Sequence, residues 1–297
     1  MQIISMKSDV IYSFIIPHKN TPDLLQKCLD SIPRRDDVQI IVVDDNSDAD
    51  KVDFDHFPGL DDSTVEVYLT KEGRGAGFAR NIGLSHAVGK WLVFADADDY
   101  FLPEIAEAMD EYRESDADVA FFKNMAMSIP SGEPSWRGDE LNRRVDIALQ
   151  TGDFTMPVLY SSPWQKFFSR QVIVDNDIHF NEVRWGNDVV FMGRVAAAAK
   201  SFTASDRCIY CITESDHSII KTVSLESRLV RFYQESENVQ ILRKTKYKNE
   251  ESVYYWHFRT WFDVWKLNHT KAVGLLPHAV SVAGGNFIKQ IIKAKFG

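Results

Sequence analysis

Short apolar runs alternate with stretches of helical period along most of this chain. Residues 10–16 (VIYSFII), 38–43 (VQIIVV), 91–94 (WLVF) and 119–122 (VAFF) are continuously apolar or nearly so. That pattern predicts strands buried on both faces, as in a parallel sheet covered by helices. Residues 65–69 give a further strand, and 178–180 and 209–212 two shorter ones. Between the first two runs, Leu24, Leu25, Cys28, Leu29 and Ile32 recur at helical spacing, with Thr21 in position to cap, Pro22 in the first turn and Pro33 as the stop. A second helix carries Ala79, Ile82, Leu84 and Ala87 inward and ends at Gly89; a third, over 104–115, does the same with Ile105, Ala108, Met109 and Tyr112. Strand, helix and parallel strand in this order make a right-handed crossover. From Lys123 to about Gly152 the pattern loosens around Pro130, Gly132, Pro134 and Gly138, which predicts a mobile loop or insertion. Trp164, Lys166 and Phe167 precede another helix, and the segment Trp185-Gly186-Asn187-Asp188 opens one that runs through Met192, Val195 and Ala196. From Leu225 onward the chain reads as helical and rich in aromatic residues.

The sequence therefore predicts an α/β protein: a mostly parallel sheet flanked by helices, followed by a C-terminal helical extension. Its 297 residues suit one large domain with additions, or two intimately joined ones. We divide them into a first half over 1–125, a second over 126–222 and the extension over 223–297. A net charge of −9 argues against a non-specific nucleic-acid binder, whose phosphate contacts need a basic surface. Three cysteines are too few and too scattered for a disulfide framework, and Cys208 and Cys211 make only half a zinc site, so a buried strand end explains them better. The N-terminus lacks the order of a signal peptide and no apolar run is long enough to span a bilayer, so the expected location is the cytoplasm.

The candidate chemistry sits where strands end. WLVF stops on Asp96, Ala97, Asp98 and Asp99, at the carboxyl edge where open α/β sheets bind ligands. Small Ala97 between them lets Asp96 and Asp98 reach one divalent ion, and Mg²⁺ or Mn²⁺ suits carboxylate oxygens and can bridge a substrate's phosphates. Taken alone, D-x-D is also a plain acidic turn. The second strand likewise ends on carboxylates, in DDNSDAD; this lacks the glycine and closing Glu of a calcium loop and fits better as a set of acceptor oxygens for a base or ribose. Gly73, Gly75 and Gly77, with Arg74 among them and Arg80 and Asn81 just inside the next helix, can hold diphosphate oxygens through amides, a helix N-terminus and a guanidinium.

Three stretches in series, IIPHKN with IIVVDDNS, GRGAGFARN with FADADD, and PWQKFF with WGNDVVF, together resemble glycosyltransferase family 2 over roughly residues 12–220. The resemblance implies the GT-A fold, an inverting reaction and a divalent cation. It implies that Pro17, Asn20, Asp44 and Asp45 line the nucleotide pocket, with Asp45 or Asp44 touching uracil or ribose, and that Arg74 contacts base or phosphate. Asp96 would contact ribose or donor sugar, Asp98 would hold the Mn²⁺ or Mg²⁺, and Asp188 would be the general base. Family members commonly carry Glu before that Asp; Asn187 stands there in this chain. His217 falls in the loop that closes on the diphosphate, as a metal or phosphate contact or as an exposed loop residue.

One base without a second nucleophilic carboxylate predicts single displacement with inversion. Trp164, Trp185 and Tyr160 offer stacking faces to an acceptor sugar, or else pack in the core. The partners expected are a nucleotide-sugar donor and a glycan or lipid-linked saccharide acceptor. Excess aromatic residues after Leu225 point to a homodimer contact or a flap over the acceptor cleft, and the Lys-rich tail with Phe287, Ile288, Ile291, Ile292 and Phe296 either to peripheral contact with an anionic inner leaflet or to a basic terminal helix facing solvent. Competing readings fit less well. A sugar-1-phosphate nucleotidyltransferase would want a basic glycine-rich signature where this chain has PHKN, a haloacid-dehalogenase-type phosphatase would carry D-x-D on its first strand, and a catalytically silent carbohydrate-binding relative would not need both Asp98 and Asp188.

Overall fold

The computed structural model describes residues 10–129, 131–214 and 223–296. The chain runs β1 (Tyr12–His18), α1 (Pro22–Asp30), β2 (Val38–Asp45), β3 (Val65–Thr70), α2 (Ala76–His86), β4 (Trp91–Phe94), β5 (Tyr100–Phe101), α3 (Glu104–Tyr112), β6 (Val119–Ser128), α4 (Asp139–Thr151), α5 (Thr155–Val158), β7 (Lys166–Ser169), α6 (Arg170–Asp175), α7 (Asn187–Ala198), β8 (Phe202–Glu214) and then α8 (Leu225–Leu242), α9 (Glu251–Leu267), α10 (His269–Ala283) and α11 (Gly285–Phe296). The strands form one sheet in the order β3-β2-β1-β4-β7-β6-β8-β5.

The first four neighbours in that order are parallel, which gathers their carboxyl ends on one edge. Register makes this concrete: His18 lies opposite Asp44, and Ile15 lies opposite both Ile41 and Phe94. The loop after β2 and the loop after β4 therefore open side by side. β7 inserts antiparallel between β4 and β6, and β6 runs parallel to β8, so the sheet is mixed but mainly parallel. β1 and β4 are almost wholly buried, as their uninterrupted apolar sequence requires when helices cover both faces.

Two apolar clusters fill the two faces. One joins Phe14, Trp91 and Phe167 to Leu25 of α1 and Ile105 of α3. The other joins Ile15, Phe94 and Phe168 to Phe191 of α7, Phe232 and Val239 of α8, Phe258 and Trp261 of α9, and Phe287 of α11. The C-terminal helices thus pack continuously onto the sheet through α7. Much of the aromatic excess is absorbed there, with Tyr254, Phe258 and Trp261 buried, while Tyr233, Tyr255 and Trp256 are exposed.

Several expectations need correction. β6 continues to Ser128 instead of stopping at Phe122, because register shifts against β8 between Phe121 and Asn124 break its apolar pattern. The supposedly loose stretch after Lys123 contains α4, whose buried face mixes Leu141, Val145 and Ala148 with Arg144 and so hides its period. Residues 178–180 form no strand: the backbone N–H and C=O of Phe180 are both taken by the Asn81 amide, at 2.8 and 2.9 Å, in place of a ladder. Thr21 makes no side-chain cap; its N–H donates to His18 Nε2 at 3.1 Å. α2 ends at His86, ahead of Gly89.

Candidate active site

At the carboxyl edge, the residues after β1 and β2 are tied to one another. Asp44 is fully buried, and its carboxylate meets His18 Nδ1 at 2.8 Å and accepts from the Ser47 N–H at 2.9 Å and the Ser47 hydroxyl. Burial works to raise this carboxyl, yet those bonds hold it below the usual carboxylate range. Asp45, also buried, accepts from the N–H groups of Arg74 and Gly75 at 2.9 and 2.7 Å. Its carboxylate thereby pins the glycine loop to β2 and occupies two of the amides that the sequence offered to phosphate. Asn20, at φ 62°, exchanges bonds with Asp48, accepting from its N–H at 2.8 Å and donating to its carboxylate at 3.0 Å. Pro17 is half-buried at the end of β1. The Arg74 guanidinium is exposed, pairs with Glu182 and lies over the Phe78 ring.

β4 delivers Asp96, Ala97, Asp98 and Asp99 into the adjoining loop. Each carboxylate has an oxygen within 4.8 Å of one in the others. Their duties differ. Asp99 is buried, accepting from Tyr210 Oη at 2.8 Å and Thr213 N–H at 2.7 Å, so it fixes the loop to β8. Asp96 takes Arg80. Asp98 is exposed, and its carboxylate accepts no bond from any other described residue. Protein crowding around the carboxyl without covering it, and then the Asp96 charge, push the Asp98 carboxyl up to about 6. A hard, all-oxygen donor set with one carboxylate uncommitted and charges that repel one another fits a divalent cation.

Arg80 links this loop to the second half of the chain. It is buried, with one Nη donating to Asp96 and the other to Asn187 Oδ1 at 2.9 Å. Asn187 therefore receives a guanidinium where a Glu would have formed an ion pair. Asn81, one residue on, is spent on Phe180. Close approach of α2 to this segment depends on Gly77, where a Cβ would stand 2.3 Å from the Asn181 carbonyl oxygen. α7 begins after Gly186, whose φ of 73° turns the chain into the helix, and Asp188 lies in its first turn.

Asp188 opens into a cavity of about 480 Å³ walled by Tyr160 and Ser161, by Met192 and Gly193 of α7, and by residues of α8 and α9. Burial raises its carboxyl, opposed by the positive charge of Arg80, then by a hydrogen bond from its own backbone N–H, then by the charge of Arg231. Near Tyr160, whose ring centroid is 5.9 Å from its Nζ, lies Lys166, wholly buried and donating to the Ser162 carbonyl at 2.6 Å. Burial drives this lysine down to about 7.

Trp164 and Trp185 are only 8% and 5% exposed and do not line the cavity; Trp164 stacks on Tyr210 and Trp185 underlies Arg184. Tyr160 does line it, as does exposed Trp256. His217 lies outside the described residues. Sequence reasoning missed the α8 contribution. Arg228, Arg231, Glu235 and Asn238 all face the cavity. Their spacing of three, four and three puts them on one helix face, and polar residues at that period within an apolar helix were the available signal.

The family model for glycosyl transferase family 2 matches residues 13–175. A poly(ribitol-phosphate) β-glucosyltransferase of Bacillus spizizenii is 28% identical over 212 residues, covering 69% of this chain and 32% of that protein. The chain thus spans about a third of that relative's length. The glycosyltransferase GlyG of Streptococcus pneumoniae is 24% identical, covering 71% of this chain and 73% of its own. The fold matches S. aureus TarS 1-349 in complex with UDP-GlcNAc at a TM-score of 0.64 and 19% identity, over 95% of this chain and 81% of that one. Among the described residues no helix is long and apolar enough to cross a membrane.

Proposed function

Because the chain belongs to glycosyl transferase family 2, we propose that it moves a sugar from a nucleoside-diphosphate sugar, with UDP as the nucleotide, to a hydroxyl of a glycan or lipid-linked saccharide, inverting the anomeric centre. The observation that carries this reading is the Arg80 bridge. One guanidinium touches both Asp96, beside the cation-binding candidate Asp98, and Asn187, beside the base candidate Asp188. One side chain thereby ties the loop after β4 to the start of α7, which supports reading the two candidates as parts of one site, as a transfer between donor and acceptor requires.

In this reading Asp98, with Asp96 next to it, would hold Mg²⁺ or Mn²⁺, whose charge would offset the negative charge that builds on a departing diphosphate. Asp188 removes the proton from the acceptor hydroxyl as that oxygen attacks. A raised carboxyl is the better base for an alcohol, since proton affinity rises with pKa, provided it stays ionised at working pH. Displacement from the face opposite the leaving group then gives inversion. Tyr160 and Trp256 supply ring surface for a saccharide along the cavity wall. UDP-GlcNAc in the TarS complex supports a UDP-sugar donor, and the name of the Bacillus relative supports a polymeric acceptor; cell-surface polysaccharide synthesis is the setting that the family resemblance implies. Lys271 and Lys289, with exposed Val273, Val280, Ile288 and Ile292 on α10 and α11, support a cytoplasmic enzyme working at an anionic membrane surface.

The test is a thermal-shift screen of nucleotide sugars with and without Mn²⁺, followed by NMR of the sugar released or transferred. A shift that needs both a UDP-sugar and the cation, and a product of opposite anomeric configuration, is expected. Retention of configuration, or a shift indifferent to the cation, would remove the corresponding part of the reading.

A further inference from the structure

Among the described residues, the α8 wall of the Asp188 cavity carries a cation with no hydrogen-bonded or ion-paired partner, Asp188 acting on it only through its charge. Arg231 of α8 is half-buried, forms no hydrogen bond or ion pair with any described residue, and has its Nε enclosed without an acceptor. A guanidinium taken from water and left unpaired is costly, and its planar fork is shaped for phosphate or carboxylate. Its neighbours add to the imbalance. Asp263 of α9 is shared by Arg228 at 3.7 Å, Arg259 at 3.7 Å and Lys266 at 3.6 Å, so this one carboxylate cannot neutralise them all. Arg228 and Arg259 line the same cavity as Arg231. The remaining carboxylates there are Asp188, assigned to the acceptor hydroxyl, and Glu235, which burial raises to about 7 and so leaves only partly charged at neutral pH. α8 holds this face in place with a capping box, in which Ser224 and Ser227 close the first turn just ahead of Arg228.

We propose that Arg231, flanked by Arg228 and Arg259, binds an oxyanion of the acceptor, a phosphate or a carboxylate, so that a neighbouring hydroxyl is presented to Asp188. The assignment rests on the reading of this cavity as the acceptor site. It makes the acceptor an anionic saccharide or polyol, and it gives the C-terminal helices a direct part in choosing it. A neutral glycan would leave Arg231 desolvated and unpaired in the bound state, which disfavours it relative to an anionic one.

The whole chain is titrated with inorganic phosphate and, separately, with glucuronate at constant ionic strength, with and without saturating UDP and Mg²⁺. Binding is read by intrinsic fluorescence, to which Trp256 in the cavity contributes. Saturable binding of at least one anion in the presence of UDP is expected, weakened about tenfold or more by Arg231→Gln and several-fold by Arg259→Gln, since each removes a charge-assisted contact. Arg143→Gln, on the exposed side of α4, should leave it unchanged. If Arg231→Gln does not fold, Arg259→Gln and Arg231→Lys carry the comparison. Which anion binds distinguishes a phosphate-bearing acceptor from a uronate-bearing one. Failure of both to saturate, or equal binding by the wild type and the arginine variants, overturns the proposal and leaves Arg231 as a counter-charge to Asp188. Failure of UDP to bind would instead count against the donor reading, because the titrations without UDP still decide the role of Arg231.

Discussion

Replacing Lys166 by Met isolates the cost of a buried amine near the Asp188 cavity. Lys166 is 0% exposed and has fallen from its ordinary 10.5 to about 7, chiefly through burial. Between those two pH values the unfolded chain holds a proton on this lysine that the folded chain has released. Stability contributed by the site therefore rises with pH across the window from about 7 to 10.5, and below about 7 the whole cost is present. The gap corresponds to about 5 kcal/mol; the site costs nearly that much at about pH 6 and about 1.5 kcal/mol at about pH 9.5. Methionine keeps the unbranched shape and cannot titrate, but it leaves the Ser162 carbonyl without the donor now 2.6 Å away, a loss of about 1–3 kcal/mol. Lys166→Met should thus be more stable than wild type by about 2–4 kcal/mol at about pH 6 and no more stable at about pH 9.5. Urea unfolding at both pH values measures this, and groups common to both proteins cancel in the difference. A stability difference that is the same at both pH values to within about 1 kcal/mol would refute the reasoning, since it would mean that the lysine titrates alike in the folded and unfolded chains.

Asp188→Asn should lower transfer by about 10²- to 10⁴-fold while leaving UDP-sugar affinity nearly intact, measured by turnover and by calorimetry; equal loss of donor affinity would remove the base assignment. The acid limb of kcat/KM should lie above the ordinary carboxylate range, because Asp188 must be ionised to act and burial raises it; Arg231→Gln should move the limb further up by removing a positive charge that opposes the rise. Arg80→Met removes charge-assisted bonds to Asp96 and Asn187, together worth about 3 kcal/mol or more, and should lower the thermal midpoint and uncouple donor from acceptor binding. Gly77→Ala sets a methyl 2.3 Å from the Asn181 carbonyl oxygen, so α2 or the segment before Trp185 must shift; a loss of about 1–3 kcal/mol in denaturant unfolding, with reduced turnover, is expected.

The sequence by itself determined the layers and the edge. Apolar runs that stop on Asp44 and on Asp96 announce buried parallel strands, and parallel strands bring their carboxyl ends together whatever else the chain does. The place of Asp188 in the first turn of a helix was legible too, although the pattern there reads equally as a plain N-terminal acid and only the family resemblance suggested a base. Tertiary structure decided which of the polar residues remain free to act. Asp44 is closed by His18 and Ser47, Asp45 is spent on the glycine loop, and Asp99 on Tyr210 and Thr213, while Asp98 alone of the loop's carboxylates stays uncommitted. No local pattern could say so, because these partners lie up to 114 residues apart and a hydrogen bond leaves no period in the sequence. The same holds for Arg80 reaching Asn187 across 107 residues, and for the α8 face carrying Arg231, whose meaning depends on packing against α7. Periodicity reports which side of an element is buried; only the folded chain reports against what.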